Sequence, residues 1–218
     1  GPDRTGIFLS GERHSYGGVP LTGGYMRVVH QSVLVNEVLE YLAPDDRDRL
    51  MVDATVGEGG HSARFLQRYP ELSIVGVDAD SEMIRRARER LKEYGERVEL
   101  VHQWFDTFLQ TWRGRQRPFR ILLDLGVSMF HFTEASRGFS FREEASLDMR
   151  LDGAAPLDPG APTAAHLINS LPEQELADII YRYGEERLSR RIAAAICRER
   201  RKQAIVDTET LADLIRGA

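Results

Sequence analysis

The sequence has little cysteine and no long apolar run, and both absences narrow the kind of protein it encodes. The single cysteine, Cys197, excludes an internal disulfide framework and leaves no thiolate set for structural zinc, so we expect no metal site. No apolar stretch approaches the roughly 20 residues that a membrane-spanning helix needs, so we expect no membrane association. Hydrophobic residues at 42% and charged residues at 29% are typical of a globular protein, and we expect a cytoplasmic one.

The chain also lacks an excess of positive charge. Its formal net charge of −5 argues against wholesale coating of nucleic acid, although a local basic patch stays compatible with that value. The length of 218 residues suggests one domain, or one with a sizeable insertion. We predict a flexible leader over residues 1–29, where Gly1-Pro2 is typical of a protease-cleavage remnant, followed by an α/β domain over 30–135 and a helical subdomain over 136–218.

A glycine-rich stretch, Asp53–Ser62, is the feature around which the α/β domain is organised. It follows a short apolar run, Leu50–Val52, and precedes a helical pattern. A strand that breaks into glycines and restarts as a helix is how a doubly wound sheet builds a small-molecule site. Glycines let the backbone turn sharply beside a ligand, and the helix presents unpaired N–H groups to it. An ordinary strand-to-helix turn is the alternative, because a glycine cluster alone is weak evidence.

Strand and helix patterns alternate through this part of the chain. Apolar runs predict four strands, at residues 50–53, 73–78, 98–101 and 119–124, with helices between them. We therefore predict an α/β fold, a Rossmann-like doubly wound parallel sheet with an inserted or appended helical subdomain. Three of the four predicted strands end in an aspartate, at the sheet edge where such folds bind ligands: Asp53, Asp78 and Asp124.

Asp78 points to an adenosine-containing cofactor. It lies about one βαβ unit after the glycines, where an acidic residue accepts hydrogen bonds from the ribose hydroxyls. That position suits both an NAD site and an S-adenosylmethionine site. A dinucleotide fingerprint needs a third glycine, and counting from Gly57 and Gly59 its place is taken by Ser62. The missing glycine counts against a dehydrogenase, while helix capping or strand-end solvation is the structural alternative for Asp78.

The last part of the chain is predicted to be mainly helical. Residues 145–163 are rich in proline, alanine and aspartate and indicate a connection, and three helices are predicted after it, at 173–183, 185–202 and 208–215. Between Arg182 and Lys202, eight basic and three acidic residues give a net charge of +5. This local basic stripe suits contacts with nucleic-acid phosphates, and a solvated helix face is the other interpretation.

A set of segments, in order along the chain, resembles the motifs of the bacterial 16S ribosomal RNA cytosine-N4 methyltransferases. These segments are Asp53–Ser62, Leu122–Ser128, Arg137–Phe141, Leu147–Asp152, and Tyr183–Arg187 followed by Arg191–Ala193. The resemblance covers roughly His30 to the end of the chain. It implies a methyltransferase-type sheet that binds S-adenosylmethionine over 30–135 and an RNA-recognition subdomain over 136–218. The implied reaction methylates the exocyclic N4 of a cytosine in the decoding centre of the small ribosomal subunit.

The resemblance also assigns roles to individual residues. By matching position it implies cofactor contacts at Gly59, Gly60, His61, Asp78, Phe105, Asp124 and His131. At the last of these positions the family has glutamine, within a serine-serine-proline-glutamine stretch that is Ser128–His131 here. Asp124 and Ser128 are the candidates for the acceptor that takes up the N4 proton. The candidate substrate contacts are one stacking ring and four phosphate-binding arginines: Phe139, Arg187, Arg190, Arg191 and Arg198.

The sheet of this family normally continues past its fourth strand with three more strands. Here the sequence ends within the helical part. We therefore expect either that the chain is a fragment, or that helices or a second subunit of a possible homodimer cover the open edge of strand 4. A non-catalytic RNA- or cofactor-binding remnant of the family is the third interpretation, beside the methyltransferase and the dehydrogenase.

Overall fold

The computed structural model describes residues 33–45, 47, 49–113, 116–133, 137–141, 144–153 and 156–218. The predicted leader over residues 1–29, including Gly1-Pro2, lies outside the described residues.

Four parallel strands form the sheet, in the spatial order β3-β2-β1-β4. Their bounds are β1 (Leu50–Asp53), β2 (Ser73–Asp78), β3 (Val98–His102) and β4 (Arg120–Leu122). In this register Asp53, the last residue of β1, lies beside Gly76 of β2 and Leu122 of β4. All four predicted strands are present, but β4 ends before Asp124. The strand stops there because the backbone N–H of Asp124 donates to the Thr55 hydroxyl at 2.8 Å and not to a neighbouring strand.

Helices cover both faces of this sheet. They are α1 (Val35–Tyr41), α2 (Gly60–Arg68), α3 (Ser81–Leu91) and α4 (Phe105–Thr111). Side chains of successive strand residues point to opposite faces, so Met51 packs with α2 and α3 whereas Val52 packs with Phe108 of α4. This arrangement confirms the predicted doubly wound α/β fold.

The remaining helices are α5 (Met129–Thr133), α6 (Ala164–Ser170), α7 (Glu173–Gly184), α8 (Ser189–Glu199) and α9 (Thr208–Arg216). All of them except α5 contribute side chains to a second hydrophobic core. The prediction of one helix over 185–202 is wrong in its bounds, because Glu185 adopts a left-handed conformation with φ 52° and ends α7. The apolar side chains that fill this core are Leu147, Ile168, Leu176, Ile192, Ile196 and Ile205.

The outer edge of β4 is open. Among the described residues β4 pairs with β1 alone, and Ile121 of this strand is 42% exposed. Of the helices in the described parts of the chain, none is both long enough and apolar enough to cross a membrane.

Candidate functional site

A cavity of about 440 Å³ opens at the carboxyl ends of β1, β2 and β4, where open α/β sheets bind their ligands. Loops that are far apart in the sequence supply its walls. Its lining includes most of the residues that the sequence marked as candidate cofactor or catalytic residues: Gly60, His61, Asp78, Phe105, Asp124, Ser128 and His131. The other cofactor candidate, Gly59, is buried next to them in the chain but does not line the cavity.

The glycine turn between β1 and α2 requires its glycines. Gly57 and Gly59 have φ angles of 53° and 79°, in the left-handed region that side chains with a Cβ rarely adopt. A Cβ on Gly59 would also lie 3.0 Å from the side chain of Leu91. Gly59 caps α2, so the first residues of that helix, Gly60 and His61, line the cavity, and the N-terminus of a helix presents backbone N–H groups to a ligand.

Asp78 is anchored by the backbone on both sides of the cavity. Its Oδ2 accepts a hydrogen bond from Gly57 N and its Oδ1 accepts one from Asp80 N, both at 2.9 Å. Burial raises the pKa of Asp78, and the two backbone donors oppose that shift. Each carboxylate oxygen has a second lone pair. The geometry therefore fixes the carboxylate and still lets it accept hydrogen bonds from two ligand hydroxyls.

Asp124 and His61 both line the cavity, and their side chains lie close together. His61 Nε2 lies 3.6 Å from Asp124 Oδ2; the histidine is buried, whereas the aspartate side chain is 50% exposed. Ser128 lies on the same loop, and its Oγ accepts a hydrogen bond from Phe130 N at 3.2 Å. That bond leaves the hydroxyl proton of Ser128 available as a donor. The cavity thus holds one accessible carboxylate and one hydroxyl donor on the loop after β4.

A buried cluster closes the cavity behind His131. Ser128 N donates to His131 Nδ1 at 3.0 Å, so the ring carries its proton on Nε2 and donates it to Asp80 Oδ2 at 2.9 Å. Arg137 adds two further bonds to Asp80, of 2.9 and 3.2 Å. Burial would raise the pKa of Asp80, but the hydrogen bonds from His131 and Arg137 outweigh it and lower the pKa to about 2.

This cluster ties the helical part to the sheet. Arg137 also donates to the carbonyl of Leu151 at 3.1 Å, and a Cβ on Gly153 would lie 2.6 Å from its guanidinium carbon. Asp80 in turn caps α3 by accepting a hydrogen bond from Glu82 N. The side chain of His131 therefore has a structural partner on its inner side, while the residue still lines the cavity.

Asp53 lies under the glycine turn and does not line the cavity. Its Oδ2 accepts a hydrogen bond of 2.6 Å from the hydroxyl of Ser62, the residue that stands where a dinucleotide fingerprint has glycine. Burial raises the pKa of Asp53 to about 6, against the opposing effect of that hydrogen bond. The Ser62 hydroxyl thus ties α2 to the end of β1.

The candidate substrate residues lie outside the cavity. Phe139 is half-buried, with its ring centroid 5.4 Å from that of His131. Of the four candidate arginines, three are exposed on α8 and the fourth precedes that helix. Within the described residues, the three on α8 form no ion pair. The four are Arg190, Arg191 and Arg198 on the helix, and Arg187 before it.

Sequence reasoning missed Asp80, Arg137 and Thr55. Asp80 stands two residues after Asp78, and Arg137 begins the family-like segment Arg137–Phe141. Asp80 and Arg137 are 57 positions apart in the sequence. Their pairing depends on how the chain folds back, which local patterns do not encode. Thr55 is part of the glycine stretch, and its role in holding Asp124 is likewise a tertiary contact.

Comparisons with known proteins place these features in a family. The model of the MraW methylase family matches residues 27–218. The "Ribosomal RNA small subunit methyltransferase H" of Treponema denticola is 48% identical over 87% of this chain and 59% of its own length. Proteins of the same name from Treponema pallidum and Thermobifida fusca are 38% and 41% identical, over 85% and 87% of this chain and 57% of their own lengths.

The chain spans a little over half of the length of these curated relatives. Among solved structures, a geranyl diphosphate methyltransferase in complex with GPP and sinefungin matches 31% of the chain at 25% identity with a TM-score of 0.28, a likeness too small to support an argument.

Proposed function

The chain belongs to the MraW methylase family, and from that premise we propose that its cavity binds S-adenosylmethionine and directs the methyl group to the exocyclic N4 of a cytosine in 16S ribosomal RNA. The observation that carries the proposal is the convergence of Gly60, His61, Asp78 and Asp124 on one cavity of a methylase-family chain. Membership of a methylase family argues against the dehydrogenase interpretation. The names of the relatives supply the substrate class, small-subunit ribosomal RNA.

The cavity suits the cofactor in size and in chemistry. A volume of about 440 Å³ lies within the roughly 300–1,000 Å³ of small-molecule sites. Asp78, held by two backbone N–H groups, would accept the ribose hydroxyls. Trp104 and Phe105 line the same cavity after β3 and would flank the adenine ring. The first residues of α2 would lie against the methionine end.

The residues of the chain would position the base and accept its proton. When bound, the cofactor supplies a methyl group already activated by its sulfonium, so catalysis rests mainly on alignment. The lone pair of a cytosine N4 is delocalised into the ring, and an acceptor beside the nitrogen favours its attack by taking up the proton. Asp124 is half-exposed at the cavity, and the imidazole of His61 lies 3.6 Å away. Asp124 is therefore the proposed proton acceptor, and the hydroxyl of Ser128 would hydrogen-bond the base.

The exposed arginines on and before α8 would hold the RNA. They belong to the segment 182–202, which carries a net charge of +5 in a chain of −5. Neutralising phosphates releases counterions and gives sequence-independent affinity. Phe139, beside His131, would form part of the wall for a base that has left its stack. Action on ribosomal subunits would place the reaction in the cytoplasm, and a homodimer stays a prediction.

The test is the rate of methyl transfer to small ribosomal subunits by the Asp124→Asn variant. The amide keeps the shape and removes the basic oxygen, so we expect the rate to fall by roughly 10²–10⁴-fold, with only a modest change in cofactor affinity measured by calorimetry. Asp106→Asn, which changes an exposed carboxylate on α4, should leave both unchanged. A rate loss that merely tracks cofactor affinity would reduce Asp124 to a binding residue.

A further inference from the structure

A second cavity, of about 260 Å³, lies between the end of α7 and the start of α8. We call it the α7–α8 cleft. It shares no lining residue with the cavity of about 440 Å³ at the strand ends, which we call the cofactor cavity. Its lining residues are Ala177, Asp178, Tyr181, Arg187, Ser189 and Arg190.

The turn between the two helices creates the cleft. Glu185, with φ 52°, donates its backbone N–H to the carbonyl of Tyr181 at 2.9 Å and ends α7. Arg187 and Arg190 thereby come to line the same cleft as Tyr181. The small residues in the lining, Ala177 and Ser189, are buried, whereas Tyr181 is 59% exposed. The cleft therefore has a buried floor of small residues, an exposed aromatic ring and two cations.

We propose that the α7–α8 cleft binds one unstacked nucleotide of single-stranded RNA. The base would stack on the ring of Tyr181, and its phosphate would bind Arg187 and Arg190. The volume lies below the roughly 300–1,000 Å³ of sites for drug-sized ligands, so one flat ring system fits better than a whole cofactor. This inference rests on RNA being the substrate and deepens it by naming a contact remote from the methylated base.

Asp178 indicates which part of the nucleotide faces it. A carboxylate repels a phosphate, so we expect Asp178 to face the base of the nucleotide while the two arginines bind its phosphate. A carboxylate does accept hydrogen bonds from base N–H groups. Guanine carries two such groups, N1–H and the N2 amino group, side by side on its Watson–Crick edge, whereas uracil carries one. One oxygen of Asp178 also accepts from Gln174 Nε2 at 3.2 Å, which helps to orient the carboxylate. The cleft should therefore prefer guanine.

Beyond the cleft, exposed arginines on α8 provide binding positions for further phosphates of the same RNA strand. Arg190 lines the cleft, and Arg191 and Arg198 are exposed farther along α8, while the opposite side of that helix packs into the helical core through Ile192 and Ile196. A single strand with one nucleotide in the cleft can thus place its next phosphates along α8.

Fluorescence anisotropy with short single-stranded RNA tests the proposal. The probes are an oligouridylate and the same oligomer with one central guanosine. Tyr181→Ala should weaken binding of the guanosine probe by roughly 5- to 150-fold, the usual cost of losing one base-stacking ring. Tyr181→Phe keeps the ring and should bind like the parent. Tyr183→Ala is the matched control, because Tyr183 is 85% exposed on the same helix and does not line the cleft.

Asp178→Asn tests the base preference separately from overall affinity. The parent should prefer the guanosine probe by at least about fivefold, and the amide variant should lose most of that preference. Equal effects of Tyr181→Ala and Tyr183→Ala, or a failure of Tyr181→Phe to bind like the parent, would overturn the cleft proposal while leaving RNA binding intact. A parent chain that binds neither probe nor small ribosomal subunits would contradict the proposed function as well.

Discussion

Four aspartates at or just after strand ends have different hydrogen-bond partners around the cofactor cavity. Asp53 bonds to Ser62 and Asp80 bonds to His131 and Arg137, so the oxygens of these two carboxylates are engaged within the protein. Burial raises the pKa of Asp53 to about 6, whereas the hydrogen bonds to Asp80 lower its pKa to about 2. Asp78, Asp80 and Asp124 line the cavity, and among the described residues Asp78 and Asp124 accept no hydrogen bond from a side chain. Of the aspartates, these two are therefore the ones that we expect a ligand to contact.

Asp78→Ala should weaken binding of S-adenosylmethionine by about 1.5–3 kcal/mol, the usual effect of losing hydrogen bonds to a charged group. Calorimetric titration measures the affinity, and thermal unfolding shows whether the variant is folded. Asp158→Ala, at an exposed turn outside the cavity, is the control. Unchanged affinity in a folded Asp78 variant would contradict the assignment of the ribose site.

Asp80 predicts a specific dependence of stability on pH. Its pKa in the folded protein, about 2, lies below the ordinary value of 3.8. The carboxylate therefore contributes stability that is fully present above pH 4 and is lost as the pH falls toward 2, by about 2 kcal/mol. In urea unfolding at neutral pH, the free energy of unfolding of Asp80→Asn should be about 3–5 kcal/mol lower than that of the parent, because Arg137 loses its charged partner. Between pH 4 and pH 2, the stability of this variant should fall by less than that of the parent.

The control for Asp80 is Asp148→Asn. Asp148 pairs with Arg150 through bonds of 2.7 and 2.8 Å, but both side chains are partly exposed. Such pairs contribute about 0–1 kcal/mol. A loss at Asp80 no larger than that at Asp148 would show that the buried cluster is not what joins the sheet to the helical part.

Three exposed arginines spread along α8 make one side of this helix basic. Replacing Arg190, Arg191 and Arg198 by alanine should weaken RNA binding and flatten its dependence on salt, since three phosphate contacts would be lost. Cofactor affinity should not change, because none of the three lines the cofactor cavity. Binding titrations at several salt concentrations provide the measurement.

The matched control replaces three exposed arginines on the helices that cover the sheet, Arg64, Arg68 and Arg88. This variant has the same change in net charge. An equal effect of both triple variants on the salt slope would mean that the chain attracts RNA through its overall charge and not through α8.

Across the whole chain, patterns confined to short segments could be predicted from the sequence. The four strands follow from apolar runs such as Ser73–Asp78, and the position of the cavity follows from glycines and aspartates at strand ends. The sequence predicts α7 to within one residue, at 173–183, and places a break after it. The start of α8 could not be predicted, because the chain that follows the left-handed Glu185 does not enter the helix until Ser189.

The features that could not be predicted depend on contacts between segments that are distant in the sequence. Asp80 meets Arg137 across 57 positions, and Asp124 is held by Thr55 across 69. The α7–α8 cleft likewise depends on how two helices pack. The resemblance to a family identified candidate residues but not which partners hold them, as His131 and its bonds to Asp80 and Ser128 show.

The measurement that tests the central claim most directly is nucleoside mass spectrometry of 16S ribosomal RNA. Small ribosomal subunits that lack the modification are incubated with the protein and isotopically labelled S-adenosylmethionine, then digested to nucleosides. We predict label in N4-methylcytidine, and at least roughly 100-fold less of it when Asp124→Asn replaces the parent for the same time. Label in a cytidine methylated at carbon, or no label from a protein that binds the cofactor normally, would contradict the account.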